Sequence, residues 1–120
     1  MTEVLQNDEY ERRFAGVAKI YGEESFNYYE QSHVMVIGIG GVGSWAVEAL
    51  ARTGLGELTL VDMDVIAASN INRQLPAMTT TLGHEKIEVM AERCRAINPR
   101  IKINLIDDYL TPDNIQDVLA

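Results

Sequence analysis

Apolar positions recur with helical spacing from near the start of the chain. Tyr10, Phe14, Val17, Ala18 and Tyr21 fall on one face, and Gly22 can end the helix they define. Residues 23–30 continue a near-helical pattern in which Phe26, Tyr28 and Tyr29 carry the aromatic bulk, while Glu23, Glu24 and Glu30 read as a solvated face. The pattern then changes. Residues 34–37, Val-Met-Val-Ile, form an unbroken apolar run, the mark of a buried strand, and lead straight into Gly38-x-Gly40-Gly41-x-Gly43. Helical spacing returns at once: Val42, Trp45, Ala46, Ala49, Leu50 and Thr53 share one side, predicting a helix that lays this stripe on a sheet. Glu48 and Arg52, four apart, can pair on its outer side. Gly54 and Gly56 end that helix, and residues 57–61 read as a second strand. A polar loop follows over 62–74, with a short helical turn expected at Asn70-x-Asn72-Arg73. A second long helix is predicted over 83–97, with Ile87, Met90, Ala91, Cys94 and Ile97 inward and Asn98-Pro99 closing it. Residues 101–106 form a third strand, and Thr111-Pro112 has the form of an N-cap with proline at the first helical position.

The order helix–helix–β–α–β–α–β–α is α/β, the N-terminal half of a doubly wound, Rossmann-like parallel sheet with two leading helices. Residues 1–32 divide off as a helical arm and 33–120 as a nucleotide-binding half domain. In the usual strand order 3-2-1-4, a fourth strand would pair with 34–37, and without it that strand keeps an unpaired edge. The expectation is an N-terminal portion of a larger enzyme, truncated before the fourth strand.

Composition narrows the function classes. A net charge of −8 argues against these residues alone clamping a polyanion, so any nucleic-acid surface must be local or lie elsewhere. The single cysteine, Cys94, permits no internal disulfide and no Cys-pair metal site, and its place on an apolar helix face makes it core rather than an acceptor thiol. His33 and His84 have no ligand or triad partner in view, and no metal-ligating set is expected. No run approaches the eighteen or so apolar residues of a membrane span, and no signal segment is visible, so the default location is the cytoplasm.

The glycines carry the first chemical signal. A strand, a glycine-rich turn and a helix in immediate succession form a dinucleotide fingerprint, in which a helix N-terminus offers unpaired N–H groups to phosphate. Asp62 ends the next strand 62 − 43 = 19 residues beyond the last glycine, where an acid that binds ribose is expected. Those features alone would suffice for an NAD-dependent oxidoreductase. Arg73 and Lys86 are two cations such an enzyme does not need. Together they could hold the β- and γ-phosphates of ATP while Gly38, Gly40, Gly41 and Gly43 line the rest.

With these residues the chain resembles a known group. Gly38-x-Gly-Gly-x-Gly43, Leu50-Ala-Arg-x-Gly54, Leu60-Val-Asp62-x-Asp64, Asn70-x-Asn-Arg-Gln74, Gly83-x-x-Lys86 and Ile97-Asn-Pro99 are similar to the adenylating domain of the ThiF/MoeB/HesA, ubiquitin-activating-enzyme-like superfamily. Arg13-Phe-x-Gly16, Tyr21-Gly22, Gly43-Ser-Trp45, Glu48-Ala-Leu-Ala-Arg52 and Thr111-Pro-Asp-Asn114 look most like its tRNA threonylcarbamoyladenosine dehydratase branch. The resemblance implies ATP and magnesium as cofactors, with the magnesium aspartate on the missing strand. It also implies a homodimer, and a tRNA substrate bound mostly through regions beyond residue 120. Asp62 would accept from ribose hydroxyls, and Asn70, Arg73 and Lys86 would contact the triphosphate with Gln74 in support. Arg13 would reach across the dimer into the partner's site, and Asp64 would orient the loop. Pro76 departs from relatives that carry histidine there.

What the resemblance implies is acyl adenylation. A carboxylate attacks the α-phosphate of ATP, pyrophosphate leaves, and an internal nitrogen then displaces AMP to close a ring on adenosine 37 of tRNA. Alignment and charge neutralisation are the protein's tasks, and Arg13, Arg73 and Lys86 suit them. Rival readings are activation of a sulfur-carrier or ubiquitin-like protein C-terminus, a NAD-dependent oxidoreductase, and a folding and dimerisation module without activity. Replacing Asp62 is expected to weaken nucleotide binding and to leave folding nearly unchanged, since it ends a strand.

Overall fold

A computed structural model describes residues 7–120. Two helices, α1 (Asn7–Tyr21) and α2 (Glu23–Glu30), precede three strands, β1 (His33–Ile37), β2 (Glu57–Val61) and β3 (Lys102–Ile106). Between the strands lie α3 (Gly43–Thr53) and α4 (Lys86–Ile97), and α5 (Ile115–Leu119) closes the chain. The strands form one parallel sheet in the order β1-β2-β3. This is the α/β half-sheet expected from the sequence, with β1 carrying no partner on its outer edge among the described residues.

Strand periodicity sorts the sheet into two unlike faces. Val34, Val36, Leu58, Leu60, Ile103 and Leu105 pack into the main core with Ile39, Val47, Ala51, Ile87, Met90 and Cys94. Both crossover helices cover that face, as two right-handed β-α-β connections in one direction require. The other face holds a polar ladder toward the N-terminal ends of the strands. Asn104 donates to Glu57 Oε2 at 2.8 Å and to Thr59 Oγ1 at 3.1 Å, and His33 Nε2 lies 2.6 Å from the same hydroxyl. His33 is thereby a sheet-surface group at the end of β1 opposite the glycines.

The leading helices have their own small core of Tyr10, Phe14 and Phe26. Glu30 is more than a solvated acid, since its Oε2 accepts from the Tyr10 hydroxyl at 3.3 Å.

Four expected details shift. The stripe Val42, Trp45, Ala46, Ala49, Leu50, Thr53 faces the sheet only in part: Leu50 packs against the core, but Val42 and Trp45 are 86% and 55% exposed, and the buried side of α3 is Ser44, Val47 and Ala51. The reason is polar. Ser44 turns inward to bond backbone, as described below, and this rotates the helix by about one position from the most apolar stripe. Glu48 does pair with Arg52, at 2.8 Å, and takes a second partner in Arg93 at 2.6 Å. Regular α4 begins at Lys86 rather than residue 83, because Gly83 is left-handed (φ +83°) and Glu85 bridges to Val65. The turn expected around Asn70–Arg73 begins earlier, with a 3-10 turn at Ala68–Asn70. At the last helix, Thr111 and Asn114 form a reciprocal capping pair: the Thr111 amide donates to Asn114 Oδ1 at 2.7 Å and the Asn114 amide to Thr111 Oγ1 at 3.3 Å. The regular turns of α5 start only after it.

Candidate nucleotide site

The site sits where parallel α/β sheets place their ligands, outside the carboxyl ends of the strands. Gly38 leaves β1 with φ +87°, a left-handed conformation that favours glycine. Its amide donates to Val61 O at 2.8 Å, which pins the turn to β2. A Cβ on Gly43 would stand 1.9 Å from Gly38 O, so the loop closes on itself with no space for any side chain there. Ser44 Oγ donates to Gly40 O at 2.5 Å and accepts from the Leu75 amide at 3.2 Å. One buried hydroxyl thus ties the glycine loop to the segment carrying Arg73 and Gln74.

That segment lies against the glycines. A Cβ on Gly41 would be 3.5 Å from Arg73 Cγ, and one on Gly40 would be 3.9 Å from Gln74 Nε2. Trp45 Nε1 donates to Arg73 O at 3.0 Å, holding the arginine backbone against the start of α3. The exposed Arg73 guanidinium donates to Ser69 O and Asn72 Oδ1, each at 3.0 Å. Asn70 is buried and shapes its own turn, its Oδ1 accepting from the Ala67 amide at 2.9 Å. Gln74 is buried, and its Oε1 lacks a hydrogen-bond partner among the described residues.

Asp62 corrects an expectation. Its carboxylate is not a free strand-end acid but is 7% exposed, with Oδ2 accepting from the Ile39 amide at 2.7 Å and Oδ1 from the Asp64 amide at 2.8 Å. It staples the glycine loop to β2. Asp62→Ala should therefore cost stability as well as nucleotide affinity, by about 1–3 kcal/mol for the buried Ile39 donor left unpaired. Urea unfolding of the variant checks this, and an unchanged midpoint would restore the view of Asp62 as a ligand group alone.

A cleft of about 490 Å³ opens beside the loop, within the usual size of a small-molecule site. Gly38, Gly40, Asp62, Asp64 and Lys86 line it together with Ile37, Val61, Asp108, Tyr109 and Leu110. Lys86 is buried along its stem, with its ammonium 4.0 Å from Asp64 Oδ2. The cleft lining thus combines glycine backbone and the Lys86 cation with apolar Ile37, Val61 and Leu110. A nucleotide carries the matching halves, phosphate and base. Asp108, Tyr109 and Leu110 were missed from the sequence because they carry no motif. Their position just past β3, beside two strand ends already assigned, was the available signal.

Arg13 is not brought to this cleft. Its guanidinium donates to Ile97 O and to Glu9 Oε1, each at 3.1 Å, at the C-terminal end of α4. Lys86 opens the same helix, about 16 Å away at 1.5 Å per residue.

The sequence matches the model of the ThiF family over residues 10–120. The chain belongs to the ThiF family. It is 55% identical over 119 residues to a tRNA threonylcarbamoyladenosine dehydratase of Haemophilus influenzae, covering 99% of this chain and 46% of the relative. A molybdopterin-synthase adenylyltransferase of Salmonella typhimurium is 35% identical over 91 residues, covering 76% of this chain and 36% of that protein. Among solved structures, Escherichia coli tRNA N6-threonylcarbamoyladenosine dehydratase in complex with ATP superposes with a TM-score of 0.92 at 47% identity, over 98% of this chain and 48% of that one. The chain therefore spans about half the length of these dehydratase relatives.

Two further residues of this ThiF-family chain can be placed. Pro76 is fully buried, and its carbonyl accepts from Thr81 Oγ1 at 2.5 Å, so it shapes the 74–82 loop from inside. Cys94 is fully buried, and burial pushes its thiol up to about 11, which leaves no thiolate to act as an acceptor near neutral pH. Among the described residues no helix is long and apolar enough to cross a membrane, and no group of three or more His, Cys, Asp or Glu is placed to hold a metal.

Proposed function

We propose that this chain supplies the ATP-binding half of an enzyme that adenylates a carboxylate, the substrate being threonylcarbamoyladenosine at position 37 of tRNA. The observation that carries the reading is the cleft itself: a loop with no room for a Cβ at Gly43 and a buried Lys86 beside it, in a chain 55% identical to a tRNA threonylcarbamoyladenosine dehydratase. In this reading Gly38, Gly40, Gly41 and Gly43 surround the phosphates, and Lys86 neutralises them from below. Arg73, with Asn70 and Gln74 shaping its segment, swings its guanidinium from Ser69 O toward the leaving pyrophosphate. Asp62 holds the loop and offers its remaining lone pairs to ribose.

The chemistry needs alignment more than covalent participation. The carbamoyl-threonine carboxylate oxygen attacks the α-phosphorus, the bond to the bridging oxygen breaks, and pyrophosphate departs with the negative charge. A nitrogen of the same side group then attacks the activated carbonyl, releases AMP, and closes a ring with net loss of water. Cations fixed in a partly dry cleft stabilise the departing charge at little reorganisation cost. Magnesium accompanies ATP in this reading, and no residue of this chain is assigned to it. A homodimer fits the position of Arg13, which lies far from its own cleft, and exposed Val42, Trp45, Ile71 and Met78 offer apolar surface to a partner. A tRNA substrate implies a cytoplasmic location.

The runner-up is activation of a carrier-protein C-terminus, favoured only by the weaker 35% identity to the molybdopterin-synthase adenylyltransferase. NAD chemistry is the remaining competitor, and calorimetric titration of the chain with ATP and with NAD separates it. ATP should bind with the tighter constant, and Lys86→Ala should weaken it about tenfold or more, as expected for a lost hydrogen bond to a charged group. Tighter binding of NAD would overturn the assignment.

A further inference from the structure

We propose that Tyr109 is a positioning residue, which holds the Asp64 carboxylate out of hydrogen-bond contact with Lys86, leaving a loose ion pair whose ammonium donors stay open to phosphate. The inference rests on the ATP reading for its purpose, though its geometry stands apart from it. Asp64 and Lys86 are joined through the backbone, the Lys86 amide donating to Asp64 O at 3.2 Å, so the carboxylate cannot move far from the ammonium. Even so, the two side chains stop at 4.0 Å, outside hydrogen-bond reach. What restrains Asp64 is Tyr109, whose hydroxyl donates to Asp64 Oδ1.

The restraint is itself anchored. Asn114 Nδ2 donates to Tyr109 O at 2.7 Å and to Asp108 Oδ2 at 3.2 Å, while Asp108 Oδ1 accepts from the Tyr109 amide at 2.7 Å. Asn114 also belongs to the capping pair with Thr111. The start of α5 thus fixes the loop, the loop fixes the tyrosine, and the tyrosine aims Asp64. Of the three acids lining the cleft, Asp62 spends both oxygens on backbone amides and Asp108 spends both within its own loop. Asp64 is the one with an oxygen left to compete for Lys86, and its side chain is half exposed and able to turn. The hydroxyl stays a donor through neutral pH, because the hydrogen bond to Asp64 raises its pKa above the ordinary value. A carboxylate closed onto the ammonium would neutralise the cation that a phosphate needs, and an arriving triphosphate would have to break that pair.

Tyr109→Phe keeps the ring and removes the restraint. In the ligand-free chain, a carbon-13 titration of the lysine side chains should show Lys86 deprotonating at a higher pH in Tyr109→Phe than in wild type, as the ion pair tightens. ATP should bind about two- to tenfold more weakly, the range of one ordinary hydrogen bond, while adenosine, which has no phosphate, should bind as before. In an Asp64→Asn background the same substitution should change neither quantity, which a merely structural role for Tyr109 would not predict. An unmoved Lys86 titration in Tyr109→Phe overturns the proposal. So does an equal loss for adenosine and ATP, which would make the ring a platform for the base. A wild-type chain that binds no ATP would instead count against the nucleotide assignment, with the Lys86 titration still deciding the role of Tyr109.

Discussion

Gly43→Ala should lose both nucleotide binding and much of the stability of the fold. The added Cβ would stand 1.9 Å from Gly38 O and 3.0 Å from Gly38 C, backbone atoms that no rotamer change can remove. Relief would require Gly38 to abandon its bond to Val61 O, or α3 to move away from β1, and Val47 and Ala51 would leave the core with it. Overpacking of this kind costs about 1–3 kcal/mol and occasionally more. Gly16→Ala is the matched control. Its Cβ meets nothing within 4 Å on α1, and it should gain a few tenths to about 1 kcal/mol. Urea unfolding and ATP titration of both variants read the contrast. A Gly43→Ala chain with wild-type midpoint and affinity would mean the loop is loose, and the phosphate cradle would lose its basis.

The second large effect is expected from Arg13. In its own chain it donates to the Ile97 carbonyl at the end of α4, a contact of modest worth on an exposed helix end, so Arg13→Ala should cost well under about 1 kcal/mol of stability. Turnover is another matter. If Arg13 serves a neighbouring copy, the variant should keep nucleotide affinity and lose activity in the chain continued by the segment that completes the Haemophilus influenzae relative. Lys86→Ala in the same protein should lose both. Mixing the two inactive variants should then return activity, because a mixed dimer contains one site with both residues intact, and at most one. Confirmed subunit exchange without returned activity would mean that Arg13 acts within its own chain or not at all.

Much of the fold was legible because strand and helix periods differ so plainly here. The run at 34–37 and the helical face Ile87, Met90, Ala91, Cys94, Ile97 admit few readings, and both stand in the structure. The face of α3 was misread for a physical reason. Hydrophobic periodicity has no way to score a serine that is buried because it bonds Gly40 O and the Leu75 amide, and it ranked exposed Trp45 as core although the indole instead anchors Arg73. The glycine loop and Asp62 pointed to a nucleotide site by their spacing and Lys86 by its charge, and the structure brings them to the lining of one cleft. The dual duty of Asp62, as loop staple and as site acid, depends on which backbone amides converge on it, and only three dimensions supply that. Asp108, Tyr109 and Leu110 were hidden because a strand end becomes part of a site through its neighbours in the sheet, not through its own residues.

The central claim is that the cleft serves adenylation, and pyrophosphate exchange reads that directly. The chain, continued by the segment that completes the Haemophilus influenzae relative, is incubated with ATP, labelled pyrophosphate and tRNA bearing threonylcarbamoyladenosine. Adenylation predicts label appearing in ATP and AMP as the nucleotide product, both abolished by Lys86→Ala. ADP and phosphate as the only products, with no label in ATP, would contradict it.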